Sequence, residues 1–197
     1  MKTDELSGLE SLRIIDSMIN KARNRFSENG HLYLVWGYTI LAITLLQFAV
    51  VSFQWLESPH ALWGLCFLPW GYMLVYLGRK KRKATVRTYT EEIASVVWLV
   101  FAGMMIITGF VLSYTNAFLA MYPAYLILYG MPTTLSGYIL RFRPLLLGGL
   151  SCWVLSIACL YAPTAYQILF LGAAVVLAWI IPGHLLQLRF QQENSLP

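Results

Sequence analysis

The sequence predicts an all-α fold: a polytopic membrane bundle of six transmembrane helices, preceded by an N-terminal amphipathic cytoplasmic helix. Three observations predict it. The first is composition. Of 197 residues, 58% are hydrophobic and only 12% are charged, where a soluble domain carries about 25% charged residues. The second is the occurrence of long uncharged apolar runs at 32–55, 61–78, 93–114, 117–140, 144–162 and 165–184. Runs of about 18 residues or more are long enough to cross a bilayer. The third is charge placement. With six spans, every Lys and Arg falls on one side: Lys2, Arg13, Lys21, Arg23 and Arg25, then Arg79 to Lys83 and Arg87, then Arg141, Arg143 and Arg189. The other side carries Glu57 and His60 in the loop 56–60, a turn near Asn116 and a turn at Pro163. The positive-inside rule then places both termini in the cytoplasm.

Residues 1–30 form the first unit. Leu12, Ile15, Ile19, Ala22 and Phe26 follow a 3-4-3-4 spacing that makes one apolar stripe on a helix. Ser7 and Glu10 fit a capping box at its start, and Asn29-Gly30 a stop. The stripe has two readings. It rests in the inner headgroup layer among anionic lipids, or it docks a soluble or membrane protein partner. A dimerising coiled coil, and hence a homo-oligomer, is a variant of the second, although the stripe covers only about two heptads. The segment is polar and lacks the short apolar core of a cleaved signal peptide.

Residues 31–188 form the six-helix transmembrane domain, and 189–197 a cytoplasmic tail. Span two ends in the run Arg79, Lys80, Lys81, Arg82, Lys83. This run is a topogenic signal and a contact site for anionic lipid headgroups, each basic residue adding about 1 kcal/mol near the surface. Nucleic acid is not expected as a partner, because no folded module surrounds the run. Thr88 and Glu91 fit a second capping box, which opens span three.

Small residues recur seven apart within the spans: Gly37 and Thr44; Gly64, Gly71 and Gly78; Ser95, Ala102 and Gly109; Gly130 and Gly137; Gly149 and Ser156. This period keeps a seam facing one neighbour and lets backbones approach closely. Pro132 interrupts span four about 12 Å from its cytoplasmic end. It removes a backbone donor and frees the Leu128 carbonyl. Pro132, Thr133, Thr134 and Ser136 are therefore a candidate solute-binding group, as in the broken helices of transporters. The competing reading is a packed kink whose hydroxyls satisfy local backbone groups.

Between their ends the spans contain no Asp, Glu, Lys or Arg. Intramembrane charges mark proton relays, ion paths and acid–base catalysis, so these activities are not expected. Thr134-Leu135-Ser136-Gly137 is only loosely similar to the Gly-x-Ser-Gly of intramembrane serine proteases, and no His lies mid-span to activate the serine. Cys66, Cys152 and Cys159 show no metal-binding spacing. His31, His60 and His184 read as residues at helix ends. No cofactor, metal or catalytic residue is expected.

The succession ENGHLYLVWGY (28–38), YGMPTTLSGYILRFRPLLLGGLSCW (129–153) and WIIPGHLL (179–186) resembles a family of small, uncharacterised six-span bacterial integral membrane proteins. The resemblance implies the six-span architecture and brings no activity with it. The expected function is that of a non-enzymatic regulatory or scaffolding partner, acting through the N-terminal helix and the basic loop. The alternative is a small transporter or binder of a neutral or lipid-like solute at Pro132.

Overall fold

The computed structural model of the chain describes residues 11–13, 30–55, 59–83 and 89–194. All regular structure among them is helical. The principal helices are α1 (Gly30–Phe53), α2 (Phe67–Lys83), α3 (Tyr89–Tyr114), α4 (Met121–Ile139), α5 (Arg143–Leu160), α6 (Thr164–Val175) and α7 (Ile181–Asn194). A 3-10 segment, Pro59–Cys66, leads into α2, a short 3-10 turn, Phe118–Ala120, leads into α4, and a π turn, Val176–Ile180, joins α6 to α7. Of the N-terminal stripe only Leu12 is described, and it is 64% exposed. Ile15, Ile19, Ala22 and Phe26 lie outside the described residues.

Five helices are long and apolar enough to cross a membrane: Gly30–Phe53, Ala61–Arg79, Glu92–Tyr114, Arg143–Leu160 and the continuous Thr164–Gln192. The protein is thus a helical chain suited to several membrane crossings. Helix α4 has 19 residues, about 28 Å at 1.5 Å per residue, enough to span. It differs from the five in composition, holding two prolines, two threonines, a serine and four tyrosines. The last helix continues without a break past the end of the apolar run at His184. At 29 residues it is about 43 Å long, so Arg189 rides on a helical extension.

Three helices end in the same way. Gln54, Asn116 and Arg141 take the left-handed conformation, with φ of 53°, 55° and 49°. The next residue donates its N–H to the carbonyl five positions back: Trp55 to Val50 at 3.2 Å, Ala117 to Leu112 at 2.9 Å and Phe142 to Gly137 at 2.9 Å. This closure satisfies carbonyls that a helix end leaves open. Asn tolerates the conformation readily, whereas Gln and Arg adopt it at some strain.

Helices α1, α4, α5 and the composite last helix form the core. Leu126, Leu145, Cys152, Cys159, Leu171 and Val175 are almost fully buried within it. Close backbone approach holds the bundle. A Cβ at Gly137 would come within 2.5 Å of Leu146 N, and one at Gly148 within 2.7 Å of Ala178 Cα. A Cβ at Gly37 would come within 2.8 Å of Ile180 Cγ1. Helices α2 and α3 lie outside this core. In the most apolar window of each crossing helix, none of α3 and 6% of Ala61–Arg79 is buried, against 56% for the last helix. Polar tethers hold α2 to α1: Trp36 Nε1 donates to Met73 Sδ at 3.4 Å, and His31 is hydrogen-bonded to Tyr72 at 3.0 Å.

This division corrects one expectation. The small residues of α4, α5 and α1 are packing seams, but those of span two are not. A Cβ at Gly64, Gly71 or Gly78 would meet nothing within 4 Å, and the same holds for Gly103. Equal spacing in the sequence thus serves two situations, closed seams in the core and open ones at the periphery.

Candidate functional site

The region around Pro132 is where the fold gathers polar groups. Pro132 and Thr133 are fully buried, Ser136 nearly so, and Thr134 half-buried. They point into the contacts of α4 with α5, the last helix and α1. Their hydroxyls are not equivalent. Thr133 Oγ1 donates to the Tyr129 carbonyl at 2.8 Å, within its own helix. It also accepts from Trp179 Nε1 at 3.0 Å. Thr134 Oγ1 packs against Gly149, where a Cβ would collide with it. Among the described residues, neither Thr134 Oγ1 nor Ser136 Oγ has a hydrogen-bond partner.

Trp179 reaches Thr133 because of a π turn in its own helix. Pro182 has no N–H, and its ring crowds the carbonyl four residues earlier. The chain responds with a π turn over Val176–Ile180, closed by Ile181 N–H donating to the Val176 carbonyl. A π turn inserts one extra residue and re-aims the side chains on it. Gly148 and Gly37 clear the space on either side. Two helices that each carry a proline, α4 with Pro132 inside it and the last helix with Pro182 after its π turn, thus meet through the Thr133–Trp179 bond.

Five aromatic rings surround this meeting point. Trp179 lies 4.8 Å from Tyr129 and 5.9 Å from Trp98, centroid to centroid. Trp98 stands edge-on to Phe101 at 5.5 Å and to Tyr33 at 5.8 Å, and Phe101 edge-on to Tyr129 at 5.5 Å. Edge-to-face pairs at these separations add to the apolar burial of the rings. Trp98 and Phe101 are also how α3 grips the core. The Tyr33 hydroxyl faces Ser136 and Trp98, yet closes no hydrogen bond of normal geometry. Tyr33 and Ser136 therefore present two buried hydroxyls beside an aromatic wall, with hydrogen-bonding capacity left over.

The sequence singled out Pro132, Thr133, Thr134 and Ser136, and the fold does bring them together. It did not single out Tyr33, Tyr129 or Trp179. The signal for Trp179 was the Trp-Ile-Ile-Pro run, which sets an indole three residues before a helix-breaking proline. Towards the far end α5 donates side-chain bonds to α4: Trp153 Nε1 to the Ile127 carbonyl at 3.2 Å and Ser156 Oγ to the Pro123 carbonyl at 2.9 Å. Gln47 Nε2 on α1 donates to the Tyr122 hydroxyl at 3.3 Å.

Among the described residues, Arg79 to Lys83, Arg141 and Arg143 gather at the opposite end from these bonds. The start of α1 touches the last helix, with a Cβ at Gly30 lying 3.5 Å from Leu186 Cβ. The later part of α2 meets that start at His31. Arg79 is exposed there, and α2 carries Lys80, Lys81, Arg82 and Lys83 on its final turns. Arg141 and Arg143 flank the α4–α5 turn at the same end, and both are exposed. His184 is hydrogen-bonded to Tyr38 at 2.8 Å. His31 and His184 thus each have a tyrosine partner. Among the described residues no three His, Cys, Asp or Glu side chains converge on a metal position. No protein-family model, curated protein or solved structure matches the chain.

Proposed function

We propose that the chain is a bacterial inner-membrane protein that crosses six times with both termini in the cytoplasm, and that it works as a regulatory or scaffolding partner rather than as an enzyme. The carrying observation is the outlying position of α2 and α3. These two helices flank the basic segment, and Gly71 and Gly78 of α2 and Gly103 of α3 face open space, whereas Gly109 of α3 packs against Tyr125. Membrane helices associate through such small-residue faces, because lipid supplies no hydrophobic contrast. A pair attached along one edge of a rigid core can engage another membrane protein while the core stays intact. The N-terminal stripe and the basic segment would add the cytoplasmic part of the contact surface, with anionic headgroups beside them. The absence of charged side chains from the spans supports a non-catalytic role.

Co-purification from native membranes tests this reading. Ile15→Ser with Ile19→Ser, and separately Gly71→Leu, should each remove specific proteins from the co-purifying set while leaving membrane insertion unchanged. A set identical to that of the wild type in both variants would overturn it.

A second reading is favoured by the spare hydroxyls of Tyr33 and Ser136. They lie beside two proline-bearing helices, and in transporters it is irregular helices of this kind that hold solutes. A small neutral or lipid-like solute would hydrogen-bond there against the aromatic wall. In that case Thr133→Val and Ser136→Ala abolish solute retention, and the Ile15/Ile19 pair leaves it unchanged.

A further inference from the structure

We propose that the groove between α1 and α2 holds one acyl chain of an anionic phospholipid, whose phosphate lies at the basic end of α2. The groove has a volume of about 530 Å³, within the range of about 300–1,000 Å³ typical of ligand sites. Val35, Ala42 and Leu46 line one wall, and Leu65, Leu68 and Pro69 the other. The wall is more apolar than its sequence suggests. Thr39 also lines it, but the Thr39 hydroxyl donates to the Val35 carbonyl at 2.8 Å, so it has no proton left to donate to a ligand. The 3-10 segment Pro59–Cys66 leads into α2 and supplies Leu65 to the groove, and Ala42 is the smallest side chain on the α1 wall.

The two ends of the groove differ in chemistry. Tyr38 and Tyr72 line it and lead to its polar end. There the Tyr72 hydroxyl pairs with His31 and the Tyr38 hydroxyl with His184, all four side chains being exposed. Tyr72, Tyr76 and Arg79 follow a 4-3 spacing along one face of α2, and His31 packs against both tyrosines. Arg79 therefore stands about 10 Å beyond the groove mouth on the same face, and Lys80 to Lys83 follow it. From Val35 to Leu46 the groove runs about 16 Å along α1. That matches one leaflet of a hydrocarbon layer about 30 Å thick. An apolar slot one leaflet deep, opening beside imidazoles and then a run of five basic residues, complements an acyl chain and its anionic headgroup. The proposal rests on the membrane placement above but not on any protein partner.

Native mass spectrometry of the full chain in detergent tests it, with phosphatidylglycerol and phosphatidylcholine of matched acyl chains as probes. The wild type should retain one phosphatidylglycerol at least about tenfold more tightly than phosphatidylcholine, since each basic residue near the surface contributes about fivefold. Ala42→Trp fills the slot and should remove retention of both lipids. Leu46→Trp blocks only the deep end and should shift retention towards shorter chains, so the proposal stays testable if Ala42→Trp does not fold. Neutralising Arg79 to Lys83 with Gln should erase the preference for phosphatidylglycerol while leaving weak retention of either lipid. Equal retention of the two lipids by the wild type would overturn the proposal. So would unchanged phosphatidylglycerol retention in both Trp variants, which would leave the lipid held by the basic run alone. A dimer that Ala42→Trp converts to monomer would make a second copy the occupant, and would overturn it as well. Loss of a protein partner in the pull-downs leaves these lipid readouts unchanged, so the two proposals fail separately.

Discussion

Thr133 joins two helices through one oxygen. It donates to its own helix and accepts from Trp179. Thr133→Val keeps the shape, removes the acceptor and leaves a buried indole N–H without a partner. Such a group is worth about 1–3 kcal/mol in general, but hydrogen bonds between membrane helices average nearer 0.6 kcal/mol. Thr133→Val should therefore lower stability in detergent by about 1 kcal/mol, read as a fall in the melting temperature. Thr133→Ser keeps both bonds and should stay closer to the wild type. The double variant Thr133→Val, Trp179→Phe should lose less than the sum of the single changes, because the orphaned donor is gone. The burial of Thr133 was legible from its place on one face with Gly130 and Gly137. Its partner was not, since nothing local to Pro132 indicates which distant helix will present an indole to it.

At the scale of the element, the same seven-residue spacing has two outcomes. In α4 and α5 the glycines admit a neighbouring backbone. A Cβ at Gly149 would come within 2.6 Å of Thr134 N, and one at Gly130 within 2.9 Å of Gly149 O. In the second span the glycines face open space. Gly137→Leu should force α4 and α5 apart, destabilising the purified chain by several kcal/mol, well beyond the range of about 1–3 kcal/mol usual for overpacking. Gly71→Leu should leave the stability of the purified chain within about 0.5 kcal/mol of the wild type. Equal losses in the two variants would mean that α2 packs more tightly than its exposure indicates. The sequence made the two helices look alike because spacing determines only which residues share a face. What that face meets depends on how the other helices arrange themselves. The π turn shows the same limit: Pro182 announced a disturbance, but not that the helix would widen and continue rather than end.

At the scale of the whole molecule, the question is whether α4 crosses the membrane. By composition it falls short of the five apolar helices, yet its polar groups are turned inward. Thr133 and Ser136 are buried against the core, and two α4 carbonyls accept side-chain bonds from α5. The outward positions are Ile127, Met131, Leu135 and Tyr138, an apolar row that ends in an interfacial tyrosine. A helix whose polar groups are satisfied by its neighbours need not be apolar all round to lie in lipid. Charge placement bears on the same question from the other direction. Among the described residues, Arg141, after α4, lies at the end where Arg79 to Lys83 and Arg143 gather, and Asn116, before it, at the other end. Single cysteines placed at Asn116 and at Arg141, in a background lacking Cys66, Cys152 and Cys159, separate the alternatives. Asn116→Cys should react with an impermeant thiol reagent in intact cells, and Arg141→Cys only after permeabilisation. If both label from outside, α4 does not cross, and the five apolar helices are the only spans. If neither labels before permeabilisation, the loop before α4 stays in the cytoplasm and the orientation argued from charge is wrong.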